Sequence, residues 1–463
     1  MLSRLKRLLR SLPFIAMAAA ALPAVVSAQG ADCYIVDSGT TNMFNARTPQ
    51  ELVFIGGGAR FRCPNGVTIA SDSVARYTGQ GLIEFVGNVR YTDEENVLTA
   101  AYVRYVERER SAIAQGDVVL TDRTTGSVIE APLMNYYQPG PNREEALIRI
   151  PSGRPHARLV SVADTDTTRR DTTIVDADRM DITGRSRFDA WGTVELTRSD
   201  VVGLGEEASW DRETGNLRLA VSARVTAEDY VLMGDTVRGR TNDLNEIEEL
   251  TALRSARLDG TDITVEAPLI RLFFTNGEVQ RLVAAGELVD AQAEGARLDP
   301  STRAVATSAD FRMTADSIDA IAPGQVLDRV VAVGNAYGER LGDEMADASV
   351  PAIAARDWLR GDTVIAVFAE SAQIDPDSAM ASSTQVDHVI AVGVTERATS
   401  TYRVRDQANP DAEPGINYML ARRITIQLRD QGVETVMAEG DVQGMYLQAI
   451  PQTGGAAGGG EQR

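Results

Sequence analysis

Along most of the chain apolar side chains return at every second position over short runs, the period of a half-buried β-strand rather than of a helix. In "SAIAQGDVVL" (111–120) one face carries Ala112, Ala114, Gly116 and Val118. The same face reads Leu282, Ala284, Gly286 and Leu288 in "RLVAAGELVD", and Val330, Ala332, Gly334 and Ala336 in "RVVAVGNAYG". It recurs as Val389, Ala391 and Gly393 in "HVIAVGVTER", and as Val436, Ala438, Gly440 and Val442 in "TVMAEGDVQG". The opposite face is mixed, with Gln115 and Asp117 or Glu439 and Asp441. One apolar face of small residues and one mixed face predict an antiparallel sheet buried on one side. Glycine weakens a strand interior, so its repetition at the same place asks for a reason, either a bulge or a close approach by backbone or ligand.

A second kind of strand lies between these, best seen in "VIEAPLMNYY" (128–137) and "TVEAPLIRLFF" (264–274), with "LTAAYVRYVE" (98–107) a looser relative. Joined through turn residues they predict hairpins: "EAPLIRLFF", turn "TNGEV", "QRLVAAGELV"; "ADSIDAI", turn "APGQVLD", "RVVAVGNAY"; and "ARRITIQLRD", turn "QGVE", "TVMAEGDVQG". The glycines fall 48, 59 and 47 residues apart from Gly286 to Gly440, which is too uneven for a strict solenoid and predicts loops of differing length between repeats. Between 139 and 190 the pattern weakens into a Pro/Gly- and Asp-rich stretch that reads as a solvated loop and a strand edge, with strands resuming over 174 to about 239.

The first residues change the setting. Arg4, Lys6, Arg7 and Arg10 precede the apolar run "LPFIAMAAAALPAVV" and a small-residue cleavage pattern at Val26-Ser27-Ala28, which reads as a secretory signal peptide over 1–28. The run is short for a spanning helix and holds two prolines. Export brings an oxidising compartment, where Cys33 and Cys63, the two cysteines of the chain, are expected to bridge. By chain entropy that loop would contribute about 3 to 4 kcal/mol.

Charge and composition narrow the function. The chain carries −20, and loss of the four leader cations leaves −24, with arginine the sole basic residue beyond the leader. Nucleic acid is a poor partner for such a chain. His156 and His388 are the only histidines, so a histidine-rich zinc site is not expected. There is no Ser elbow and no Walker lysine, and "FIGGGARF" (54–61) reads as a turn or bulge. Asp164, Asp166, Asp171, Asp176, Asp178 and Asp181 lack the order of a calcium loop. Neither catalysis, a metal nor a cofactor is expected.

The stretch "GNVRYTDEENVLTAAYVRYVERERSAIAQGDVVLTDRTTGSVIEAPLMNYY" (87–137) and the hairpins from about 250 to "MAEGDVQGMYLQ" (437–448) resemble the OstA-like family, the periplasmic modules of lipopolysaccharide transport. The resemblance implies an open, V-shaped β-jellyroll of stacked antiparallel strands whose interior takes lipid acyl chains, with modules pairing edge to edge. It implies a periplasmic carrier or bridge, associated with the inner or outer membrane, whose partners are lipopolysaccharide or a related outer-membrane lipid and other transport proteins. Length allows two modules, at 79–240 and 250–449, after an N-terminal segment at 29–78 and before a Gly-rich tail at 450–463. The groove candidates are Ala114, Val118, Leu282, Ala284, Val330, Ala332, Val389, Ala391, Val436, Ala438 and Val442. The alternative is an exported β-helix that binds or cleaves polysaccharide, against which the low, scattered aromatic content counts.

Overall fold

The computed structural model describes residues 33–447 except 64–65, 142, 163–169, 185, 243–245, 262, 290–296, 300–301, 309–310, 342–354, 371–383, 405–414 and 430–431. The leader and the Gly-rich tail lie outside the described residues. The fold is all-β, stacked antiparallel strands joined by short turns, with two single-turn 3-10 segments at Thr78–Gln80 and Pro323–Gln325. It divides into two compact units, Met1–Ala252 and Leu253–Arg463, the boundary falling inside the strand Ile247–Gly260.

In the first unit each rung pairs with the next in chain order. Tyr34–Phe44 pairs with Leu52–Arg62, and that strand pairs with Thr68–Ser71 and Ser73–Tyr77, two pieces of one rung broken at Asp72. Leu82–Thr92, Asn96–Val106, Ser111–Asp122 and Val128–Tyr137 follow as a meander. The N-terminal segment therefore supplies the opening rungs of this unit. Cys33 and Cys63 form the expected disulfide, which ties the foot of the first strand to the end of the second.

The stretch read as a loop at 139–190 is instead two further broken rungs. Leu147–Ile150 and His156–Val162 lie side by side along Val128–Tyr137, and Arg170–Asp176 and Arg179–Thr183 lie along them in turn. Pro151, Gly153 and Pro155 interrupt the first of these rungs without turning the chain back. Arg187–Arg198, Val201–Asp211, Asn216–Thr226 and Tyr230–Thr241 complete the meander.

The second unit repeats the scheme. The three expected hairpins form: Ile263–Thr275 with Glu278–Ala285, Ser317–Ile321 with Arg329–Arg340, and Arg423–Arg429 with Gly432–Glu439. Two rungs are split by excursions. After Gly286 the chain leaves, makes a small hairpin at Leu288–Val289 with Arg297–Leu298, and re-enters as Ala304–Ser308. After Gly393 it leaves briefly and returns as Ala398–Val404. The longest glycine interval, Gly334 to Gly393, contains neither excursion and includes 342–354 and 371–383, which lie outside the described residues.

The glycines sit where each rung bends. Gly87–Asn88, Gly116–Asp117, Gly192–Thr193, Gly334–Asn335 and Gly440–Asp441 are each two successive residues at positive φ, and Val221–Ser222 and Arg254–Ser255 take the same conformation without glycine. In the first meander the doublet adds one residue: 115 to 119 spans what 99 to 102 spans on the neighbour. Such a bulge bends the strand and increases its twist. Facing each glycine on the preceding rung is a residue that fills the space a Cβ would need. These are Asp72 at Gly87, Ala101 at Gly116, Pro132 at Gly153, Asp178 at Gly192, Asp316 at Gly334 and Arg422 at Gly440. The two strand types of the sequence are thus the two halves of one fit. Gly286 and Gly393 differ: neither is left-handed, and each would bring a Cβ against backbone where its excursion departs, Thr302 O for Gly286 and Glu396 O for Gly393.

Backbone hydrogen bonds run through the bend. The Gly58 amide donates to Asp72 O and the Asp72 amide to Gly87 O; Gly286, Asp316 and Gly334 repeat the pattern, as do Gly393, Arg422 and Gly440. Asn88 Nδ2 donates to Asp72 Oδ2 at 2.8 Å, and Asn335 Nδ2 to Asp316 Oδ2 at 3.2 Å. Gly334→Ala is expected to lose roughly 1–2 kcal/mol for the left-handed backbone, and more for the collision with Asp316. Gly277→Ala, left-handed in open space at a hairpin turn, loses the backbone share alone. Denaturant unfolding of the two variants measures the difference, and Asp316→Gly in the Gly334→Ala chain should recover part of it.

Candidate functional site

Register brings the groove candidates of the second unit into two adjacent rows that run across the rungs. One row is Ile270, Ala284, Ile318, Ala332, Val364, Ala391, Ile424 and Ala438, each directly opposite the next. The other is Leu272, Leu282, Ala320, Val330, Ala366, Val389, Ile426 and Val436. Small and large side chains alternate along the first row: alanine stands on the strands chosen for their glycines, isoleucine or valine on the strands between. At about 4.8 Å per strand, eight residues in register extend roughly 34 Å.

Ala284, Ala332, Val364, Ala391 and Ile424 are fully buried, and Leu282, Val330 and Val389 nearly so. Val436 and Ala438 are half-buried because their strand Gly432–Glu439 lies at the outer edge of the unit, whereas Val442, between that strand and Gln443–Leu447, joins neither row and is 52% exposed. In the first unit Ala114 and Val118 are buried in the same manner, and Ala114 belongs to a row Ile55, Val74, Phe85, Val103, Ala114, Met134. Sequence reading selected the row residues of the second unit on the strands chosen for their glycines and missed those on the strands between, Ile270, Leu272, Ile318, Ala320, Val364, Ala366, Ile424 and Ile426. Their signal was present in the strict alternation of "SIDAI", "TVIAV" and "RITI".

A parallel row in the first unit is aromatic: Ile83, Tyr105, Ala112, Tyr136, Ile148, Ile182, Phe188 and Trp210. Phenols join Ser71, Asn96, Asp122, Ser400 and Thr401 among the buried polar groups. Tyr91 Oη donates to Asp93 Oδ2 at 2.8 Å, and burial together with that carboxylate pushes its pKa well above the ordinary value. Burial also raises Tyr402, whose hydroxyl accepts from Asn417 Nδ2 at 2.7 Å.

The outer face is wet and ionic. Asp171 pairs with Arg198 at 2.6 Å, Asp176 with His156 at 3.0 Å, Asp178 with Arg154 at 3.6 Å and Asp181 with Arg149 at 2.8 Å. The described aspartates of the Asp-rich stretch therefore face arginine or, at Asp176, histidine, while Asp164 and Asp166 lie outside the described residues. Among the described residues no group of three or more His, Cys, Asp or Glu is placed to hold a metal, and no helix is long and apolar enough to cross a membrane. His156 and His388 belong to different units, and each faces an aspartate of its own, Asp176 and Asp387.

Two rims of the sheet are unpaired on one side among the described residues. Tyr34–Phe44 has the strand Leu52–Arg62 as its partner and is exposed along its length. Gln443–Leu447 pairs with Gly415–Ala421 and is exposed throughout, with Met445 at 60% and Tyr446 at 55%. Comparison with protein-family models and with curated proteins gives no match.

The buried phenols set an alkaline limit. A tyrosine whose folded pKa is raised favours the folded state fully below its unfolded pKa, near 10, and that contribution is lost as pH rises through the folded value. Unfolding free energy is expected to fall above about pH 10, and Tyr91→Phe should flatten that slope. Urea titrations at a series of pH values measure it.

Proposed function

We propose that the protein is an exported, non-catalytic lipid carrier of the OstA-like kind. Its two units act as open β-jellyroll modules in the periplasm, and their interior accepts the acyl chains of lipopolysaccharide or a related outer-membrane lipid. The observation that carries this reading is the pair of apolar rows at 270–438, continuous over eight rungs, the first of them alternating between small and branched side chains. An extended acyl chain lying along such rows leaves water at about 0.8 kcal/mol per methylene. The row residues are buried among side chains, so entry of an acyl chain requires the two arms of the bent rungs to part, with the glycine bends as the compliant line.

The secretory leader and the disulfide fit an oxidising compartment. The unpaired strands Tyr34–Phe44 and Gln443–Leu447 suit pairing with other transport modules, since an exposed edge offers its backbone donors and acceptors to an added strand. Anionic head groups gain little from a chain of −24, which leaves the acyl chains as the recognised part.

Native mass spectrometry of the mature protein purified from its own periplasm is expected to carry a lipid A-type mass. A lipid-free mass that persists after incubation with lipopolysaccharide would overturn the reading. Within the rows, Ala332→Glu places a charge in a fully buried position and is expected to destabilise the fold as well as binding. Ala438→Glu, half-buried at the rim, is the cleaner probe: it should reduce lipid retention clearly more than Glu439→Lys, and equal effects would sink the inward assignment.

A further inference from the structure

One bend departs from the others. At Gly87 and Gly334 the facing aspartate is locked by the asparagine that follows the glycine. At Gly192 that position is Thr193, and the facing Asp178 is left with Arg154 at 3.6 Å, its carboxylate 60% exposed. The Asp178 amide is still held by Trp191 O and Gly192 O, at 3.1 and 3.0 Å, and its side chain still lies over Gly192 as the other aspartates lie over their glycines, but with Thr193 in place of an asparagine donor beside it.

The surroundings of that carboxylate form a crevice of about 480 Å³ on the outer side of the bend, lined by Pro151, Ser152, Gly153, Arg154, Asp178, Arg179, Trp191 and Gly192. Its walls are backbone held in uncommon conformations. Gly153 and Arg154 are both left-handed, and a Cβ at Gly153 would run into Pro132. A left-handed arginine costs energy that the fold must supply elsewhere. Arg179 stacks over the Trp191 ring at 5.0 Å, which fixes the indole on a strand where most outward side chains are small or polar.

A half-exposed indole, one carboxylate and two guanidinium groups within one crevice of an otherwise acidic protein have a combined chemistry. An indole offers an apolar face to the C–H face of a pyranose ring. A carboxylate accepts from vicinal hydroxyls, and a guanidinium donates in a fork to another carboxylate. We propose that this crevice is a binding site for an acidic saccharide. The ring packs on Trp191, ring hydroxyls donate to Asp178, and the uronate carboxylate is met by Arg154 and Arg179. The site lies outside the apolar rows and stands independently of the acyl-chain reading.

The test is saturation-transfer difference NMR on the mature chain with digalacturonate as the acidic probe and chitobiose as the neutral one. Transfer to digalacturonate is expected, with Trp191→Ala and Asp178→Asn each weakening it about tenfold, the size of one lost charge-assisted or stacking contact. Trp191→Phe, which keeps an aromatic face, is the variant to use if Trp191→Ala melts at a lower temperature, and it should retain most of the signal. Absence of transfer, or transfer unchanged in Asp178→Asn and Trp191→Ala, would overturn the site. Equal transfer to chitobiose would overturn the acidic assignment.

Discussion

The structure depends on one steric fit, a left-handed residue pair on one rung lying against a filled position on the rung before it. The fit decides where each strand bends, and the bend turns the apolar faces inward. Because the collision partner is a neighbour in the sheet, each glycine is tied to a residue 14 to 21 positions upstream: Asp178 for Gly192, Pro132 for Gly153. The backbone hydrogen bonds through Gly58, Asp72 and Gly87 show that bending does not cost the sheet its ladder.

Packing follows from the bend. In the row from Ile270 to Ala438 alanines occupy the rungs chosen for their glycines and branched residues the rungs between, so the interior interlocks along the stack rather than within any single strand. A row such as Ile270 to Ala438 has contributions from eight separate stretches of chain, yet every contact in it is between hydrogen-bonded neighbours. The outer face carries the charge, in pairs such as Arg149 with Asp181 and Arg281 with Asp319. Exposed pairs of that kind contribute about 0–1 kcal/mol each, so stability rests on the interior.

Much of this was legible in the sequence. Period-two alternation identified the strands, and the turn residues of "TNGEV" and "APGQVLD" identified two hairpins that form. The cysteine pair followed from the leader. What escaped had a common cause. Glycine and proline at a bend look in sequence like glycine and proline at a turn, so Pro151, Gly153 and Pro155 hid a broken rung inside an apparent loop. The doublets Val221–Ser222 and Arg254–Ser255 carry no glycine and give no local signal; only the neighbouring rungs reveal them. Trp191 was visible, but the exposed Asp178 beside it depends on Thr193 standing where the other two aspartate-faced bends have asparagine, a comparison that needs the rungs aligned in space.

The alternation of doublet and filled position imposes a parity on the fold. A rung with a left-handed pair needs a filled position before it, and two doublets side by side would leave both bends without a partner. Loss or gain of a single strand therefore breaks the order, whereas loss or gain of two preserves it. Growth of such a protein by internal duplication proceeds in hairpins, and the excursions at Gly286 and Gly393 mark the place where length can vary freely, since a chain that leaves and returns at the bend disturbs neither arm.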